Sequence, residues 1–301
     1  MRADLEYGSI PGMALRNAER FGDAPAIIDD GGTVSYAEVG ERLRVVARSL
    51  MAGGVGPGDR VALWAPNSAG WITTALGILA TGARLVPLNT RFKGREASYV
   101  LAATRARTLV CANGFLGFDY VDMLRQTDIA LPALADTVLL DGEADATTSW
   151  AEFTGRADRV SDDSARRRAG AIGPDDPSDV MFTSGTTGHP KGVMLRHGAS
   201  LRAYELFNRS FGLTAGDRLL IIAPFFHCFG YKAGWMVALM NGAVSVPMAA
   251  FDPATALRLI EQRRITHTGG APTMFWALLD HPSRAERDLS SLRVATASAG
   301  T

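Results

Sequence analysis

Asp179-Val180-Met181-Phe182-Thr183-Ser184-Gly185-Thr186-Thr187-Gly188-His189-Pro190-Lys191-Gly192 begins as an apolar strand and feeds straight into a loop. Within Thr183 to Gly192 fall four hydroxyl residues, three glycines and one lysine. Glycine lets backbone approach an anion with its N–H groups exposed, the hydroxyls add donors, and Lys191 adds a compact positive charge. Such a loop suits polyphosphate. It is not the G-x-x-x-x-G-K-[ST] loop of ordinary NTPases, because Gly185 and Gly188 are three apart and Lys191 is followed by Gly192. Composition alone leaves open a flexible Thr- and Gly-rich turn between two strands.

Strand and helix signals alternate on both sides of this loop. Upstream, Ala26-Ile27-Ile28 and Thr33-Val34-Ser35 flank the turn Asp29-Asp30-Gly31-Gly32 and read as a hairpin. Ser35 and Glu38 have capping-box spacing, so a helix follows, with Val39, Leu43, Val46 and Leu50 on its apolar stripe and Gly53 at its stop. Strands are predicted at 60–65, 84–88 and 108–111, with helices at about 69–81 and 95–103 between them. Downstream, strands are predicted at 218–223, 243–247, 266–269 and 292–296, with helices at about 198–211, 233–240, 253–264 and 273–279. This alternation predicts an α/β fold in which helices cover mostly parallel sheets. Two layered α/β regions are expected: residues 1–178, with a polar surface connection near 141–178 that includes the run Arg166-Arg167-Arg168, and residues 179–301. The last residues read as a strand entering a small-residue turn, the pattern of a βα unit cut after its strand.

Lys plus Arg and Asp plus Glu both number 31, so no net charge argues for nucleic acid or an anionic membrane as partner. The two cysteines, Cys111 and Cys228, lack the spacing of a disulfide framework or a zinc site, and no metal-ligating set is identified. With no signal-peptide core at the N-terminus, a cytoplasmic location is expected. Leu219 to Met248 carries a single formal charge, Lys232, yet Pro224, Gly230, Gly234, Gly242 and Pro247 divide it into pieces too short for a transmembrane span.

The string T-S-G-T-T-G-x-P-K-G resembles the phosphate-loop signature of the adenylate-forming superfamily, which includes acyl-CoA synthetases, luciferases and peptide-synthetase adenylation domains. Ser35-Tyr36 with Glu38, Gly58-Asp59-Arg60-Val61-Ala62, Gly82-Ala83 to Pro87-Leu88-Asn89, Pro224-Phe225-Phe226-His227 and Ala271-Pro272-Thr273 are similar to further landmarks of that family, in its order. The resemblance implies the large N-terminal domain, with the small C-terminal domain beyond this chain. It implies an enzyme that uses ATP, Mg²⁺ and coenzyme A: a carboxylic acid becomes an acyl-adenylate with loss of pyrophosphate, then a CoA thioester.

By the same resemblance Thr183, Ser184, Gly185, Thr186, Thr187, Gly188 and Lys191 hold the phosphates, and Ser298, Ala299 and Gly300 start the adenine-contacting segment. His227 sits beside the acyl group, a binding role ahead of proton transfer. Phe229, Gly230 and Tyr231, with Lys232 and Trp235, line or brace the acyl pocket, although plain helix packing explains Tyr231, Lys232 and Trp235 equally well. His267 and His281 are read as structural. The segments 225–234 and 251–253 look closest to actinobacterial ligases for the propionate side chain of degraded steroid rings, with medium-chain fatty acids and aryl acids also open. A homodimer is open too. Rival readings are a non-catalytic ATP-binding fragment, an NTPase, and an adenylating enzyme without CoA transfer. The resemblance further implies that these residues alone are poorly active.

Overall fold

The computed structural model describes residues 2–183 and 190–297. Ser184, Gly185, Thr186, Thr187, Gly188, Ser298, Ala299 and Gly300 lie outside the described residues. The apolar runs become strands β1 (Pro25–Asp29), β2 (Gly32–Ser35), β3 (Arg60–Trp64), β4 (Arg84–Pro87), β5 (Thr108–Ala112) and β6 (Asp136–Asp141), followed by β7 (Pro177–Thr183), β8 (Lys191–Arg196), β9 (Arg218–Ile221), β10 (Val244–Pro247), β11 (His267–Gly270) and β12 (Val294–Ala297). They form two six-stranded sheets, ordered β6-β5-β3-β4-β7-β8 and β12-β11-β9-β10-β1-β2. In each sheet neighbours run parallel except at one edge, where β8 returns antiparallel on β7 and β2 antiparallel on β1. The expected α/β class with mostly parallel sheets is therefore observed.

The chain divides into two compact units that interleave in sequence, residues 1–13, 40–66 and 70–201 in one and 14–39, 67–69 and 202–301 in the other. Each holds one sheet. Strand β7, which crosses residue 178, and strand β8, which lies wholly past it, belong with β3 to β6 in the first unit.

The first unit's core is built on Trp64 stacked on Tyr120, centroids 3.9 Å apart, among Leu88, Val100, Leu109 and Cys111. Both rings keep their polar ends satisfied: Trp64 Nε1 donates to the Asn89 carbonyl at 3.0 Å and Tyr120 Oη to that of Thr90 at 2.9 Å. Burial first, and the Asp119 charge second, push the Cys111 thiol up to about 12, which leaves it an inert core residue. In the second unit Leu220, Ile222, Val246, Leu257 and Ile260 pack together, and buried Tyr36 donates to the Ala243 carbonyl at 2.8 Å.

The β1–β2 hairpin closes as its sequence predicts, with Asp29 opposite Gly32, which adopts φ 118°. Asp29 Oδ1 accepts from the Gly31 N–H at 2.9 Å, and its Oδ2 from the Ala69 N–H at 2.8 Å, at the start of helix Ala69–Ala80. The capping box forms too: Ser35 N–H donates to Glu38 Oε2 at 2.7 Å and Glu38 N–H to Ser35 Oγ at 3.2 Å, opening helix Tyr36–Ala52.

Three stretches carry more structure than their composition suggests. Helices Ala3–Tyr7 and Ile10–Phe21 precede the hairpin. The polar segment 141–178 holds helices Trp150–Gly155, opened by a Ser149/Glu152 capping box, and Asp162–Gly170, capped by Ser161; they bury Phe153 and Ala165. The single helix expected at 233–240 begins instead as a π-type segment, Phe229–Met236, and continues as helix Val237–Asn241. Between β9 and β10 this pair accounts for the apolar run 219–248. No helix among the described residues is long and apolar enough to cross a membrane.

Candidate functional site

Strand β7 is anchored in its sheet by β4 on one side and β8 on the other, with Ser178, Asp179 and Met181 buried. Ser178 Oγ donates to Asp179 Oδ2 at 2.7 Å, a polar pair that fixes the root of the strand. The β7–β8 register sets Thr183 opposite Lys191, so these two residues frame the mouth of the connecting loop. Their contact is slight: Thr183 Oγ1 donates to the Lys191 carbonyl at 3.5 Å. Both side chains are exposed, and among the described residues no carboxylate pairs with Lys191. An exposed cation without a counter-charge raises the local positive potential at this mouth.

Two neighbours hold this mouth in place. Opposite Phe182, Gly192 has no room for a side chain, since a Cβ there would lie 2.9 Å from Val180 Cγ1 and 3.3 Å from the Phe182 ring. Tyr99, on helix Gly94–Thr104, donates its hydroxyl to the Pro190 carbonyl at 3.3 Å and ties down the end of the loop. Sequence reading gave Tyr99 no role. Its partner is 91 residues away, and only the packing of that helix brings them together.

In the second unit the segment after β9 carries the other candidates. Asn67 braces it: its Nδ2 donates to the Ala223 carbonyl at 2.9 Å and its Oδ1 accepts from the Phe225 N–H at 2.7 Å, a pairing across 158 residues that sequence alone could not reveal. His227 follows, exposed, its Nδ1 accepting from the Phe229 N–H at 3.2 Å, which fixes the ring and directs Nε2 away from the backbone. Gly230 sits where a Cβ would fall 2.3 Å from the Pro224 carbonyl oxygen, so the chain turns tightly onto the strand end.

Beyond it the residues are packed. Tyr231 is buried and stacks on Trp235 with centroids 4.8 Å apart, and the buried Lys232 places Nζ 4.1 Å from the Tyr231 ring centre. The Phe229 ring lies against Gly269, where a Cβ would approach within 2.8 Å. The remaining cavity beside Phe229, Ala233 and Gly234 is about 10 Å³, the size of one water. His227, Phe229, Gly230 and Tyr231 are thus gathered in one turn, while Thr183 and Lys191 are gathered in the other unit.

His267 and His281 have structural partners. His267 is buried against Phe211, and burial foremost, with Arg293 adding to it against the opposing pull of Asp217, holds its pKa below the usual histidine value. His281 Nδ1 accepts from the Ser283 N–H at 3.3 Å and caps a short 3₁₀ turn.

Residues 15–301 match the family model described as "AMP-binding enzyme". A 3-[(3aS,4S,7aS)-7a-methyl-1,5-dioxo-octahydro-1H-inden-4-yl]propanoyl:CoA ligase of Rhodococcus jostii (strain RHA1) is 43% identical over 95% of this chain and 56% of its own length. The ligase of the same name from Mycobacterium tuberculosis is also 43% identical, over 97% of this chain and 57% of its own. Among solved structures, the anthranilate CoA ligase AuaEII in complex with anthranoyl-AMP superposes with TM-score 0.86 at 26% identity, covering 99% of this chain and 56% of that one. The N-terminal domain of FACL13 from Mycobacterium tuberculosis superposes with TM-score 0.84 at 26% identity, covering 97% and 70%. The chain therefore spans little more than half the length of the curated relatives it matches.

Proposed function

The chain belongs to the AMP-binding enzyme family, and on that premise we propose that the protein is an ATP-dependent acyl-CoA ligase whose phosphate loop opens at Thr183 and closes at Lys191. The observation that carries this reading is the register of β7 and β8, which sets an exposed, uncompensated Lys191 across from Thr183 at the two ends of a glycine- and threonine-rich loop.

The first reaction brings two anions together: the carboxylate oxygen of the acid attacks the α-phosphorus of ATP, and the bond to the leaving pyrophosphate breaks. Positioning and charge neutralisation supply most of the catalysis in such a step. Lys191 and Thr183 neutralise and hydrogen-bond the β- and γ-phosphates, with Ser184, Gly185, Thr186, Thr187 and Gly188 completing the cradle in this reading. Ser298, Ala299 and Gly300 supply backbone contact to adenine. Mg²⁺ adds positive charge to the same phosphates when bound. His227 lies beside the acyl group, with Phe229 and Gly230 shaping that end of the pocket and Tyr231 bracing it from within. The thiol of coenzyme A then displaces AMP from the acyl-adenylate to give the thioester.

For the acid, the 43% identity to two ligases of a ring-bearing propionate supports a propionate side chain on a partly degraded steroid ring. Residues 1–301 alone are expected to form little acyl-CoA. The test is pyrophosphate exchange into ATP by the whole protein with steroid-derived, fatty and aromatic acids. Exchange that requires an added acid and is strongest with the ring propionates supports the reading. Phosphate release that ignores the acid replaces the ligase with an NTPase, and a preference for fatty or aryl acids overturns the substrate assignment alone.

A further inference from the structure

A second cavity, lined by none of the residues assigned above, lies in the first unit. It has a volume of about 380 Å³, within the range of small-molecule sites. Leu101 and Ala106 line it from the end of helix Gly94–Thr104 and the turn beyond, and Leu131, Pro132 and Leu134 line it from the loop before β6. Leu101 and Ala106 belong to the Trp64–Tyr120 core and Leu131 and Leu134 pack against it, so the floor is fixed by packing.

One lining residue is charged. Arg105 ends the helix in the left-handed conformation, φ 50° and ψ 48°, where glycine or asparagine would sit with less strain. Its backbone is fully engaged: the N–H reaches the Leu101 and Ala102 carbonyls, and the carbonyl accepts from Arg60 Nη2 at 3.2 Å. Arg60 also donates through Nε to the Thr104 carbonyl at 2.6 Å, so its own guanidinium is consumed in clamping the helix end. The Arg105 guanidinium is exposed and pairs with no carboxylate among the described residues. A pinned backbone thus holds a cation at an apolar cavity.

We propose that this cavity binds an amphiphile with an apolar body and a single carboxylate head, a medium-chain fatty acid, with the chain against Leu101, Leu131 and Leu134 and the carboxylate on Arg105. Arginine suits this task because its planar fork matches a carboxylate in two parallel hydrogen bonds. The site would be additional to any acyl site near His227.

The probe is decanoate titrated into the protein labelled at leucine methyls and followed by NMR. Saturable shifts at Leu101, Leu131 and Leu134 are expected. Arg105→Gln should weaken that binding about tenfold, the worth of one charge-assisted hydrogen-bonded contact. Decanamide should bind the unaltered protein about as weakly as decanoate binds the variant. Ala133→Phe, which fills the cavity without touching the charge, should abolish the shifts, and unchanged spectra elsewhere show that each variant is folded. Shifts confined to leucines outside this cavity, or an affinity that neither the amide nor Arg105→Gln alters, would overturn the proposal. Binding near His227 has separate leucine signals in the second unit, so failure here leaves the ligase reading untouched.

Discussion

The two sheets share one plan, parallel strands ending in an antiparallel hairpin, but the hairpins use their polar groups in opposite ways. At β1–β2 the carboxylate of Asp29 is consumed by the structure, one oxygen on the Gly31 N–H and the other on the Ala69 N–H. At β7–β8 the charged residue of the mouth, Lys191, stands exposed with no carboxylate partner among the described residues, and Val193 and Met194 beside it are exposed too. A hairpin that spends its polar groups internally contributes stability. One that leaves a cation exposed gives up that stability and, in the proposed reading, keeps a site for phosphate. The comparison predicts that substitutions in the two hairpins separate activity from folding.

The largest effect should come from Lys191→Ala. Losing one preorganised charge beside the leaving pyrophosphate should lower acid-dependent pyrophosphate exchange by about a hundredfold or more. Urea unfolding should shift by no more than about 0.5 kcal/mol, as for a surface substitution. Equal losses of stability and activity would erase the distinction between the hairpins.

Asp29→Ala should do the reverse. It removes a carboxylate from two backbone donors, one of them at a helix start, and should cost about 1–2 kcal/mol of stability. Exchange per folded molecule should hold steady. A kinetic defect without a shift in unfolding would mean that β1–β2 also serves the reaction.

Between these lies Tyr99→Phe, which deletes only the donor to the Pro190 carbonyl. As a positioning residue it should raise KM for ATP about three- to tenfold, with little change in unfolding, since the aromatic body remains. If instead stability falls and KM for ATP holds, Tyr99 supports the core and not the loop.

Much of this was readable in advance, and the limits are instructive. The β1–β2 hairpin and its capping box were legible because each signal lies within a few residues of its partner. The loop's resemblance to a phosphate-loop signature was legible as a string, and strand β7, which leads into it, as an apolar run. Helix Asp162–Gly170 was not, because it buries only Ala165 and shows no apolar stripe; the Ser149/Glu152 spacing at the neighbouring helix was a usable signal that went unread. Helix Ile10–Phe21 did carry one, with Ile10, Met13, Ala14 and Ala18 buried at helical spacing. Asn67 and Tyr99 act on partners far along the chain, and no local pattern encodes such pairs. The π-type start at Phe229 had no signal in the apolar periodicity, which reads the same for either kind of helix.

The smallest effect probes the second sheet's interior, where polar groups are spent as they are at Asp29. His267 on β11 is buried, its Nδ1 2.8 Å from Thr266 Oγ1, and its pKa is held low mainly by burial. With a folded value below the unfolded one, near 6.5, the unfolded chain takes up the proton first as pH falls. Stability should therefore decline from about pH 6.5 downward until the folded value is reached, by no more than about 1.4 kcal/mol per pH unit from this residue. Burial pushes the Asp217 carboxyl up, but hydrogen bonds from the Thr214 N–H and Oγ1 outweigh it and hold the value below the usual carboxylate range, so its share is lost only at lower pH, after that of His267. Urea unfolding at pH 7.5 and 5.5 spans this window, and the His267 share is the part that a variant removes. His267→Gln should flatten the difference, because glutamine keeps a hydrogen-bonding group without the titration; an equally steep decline in the variant would place the pH sensitivity elsewhere.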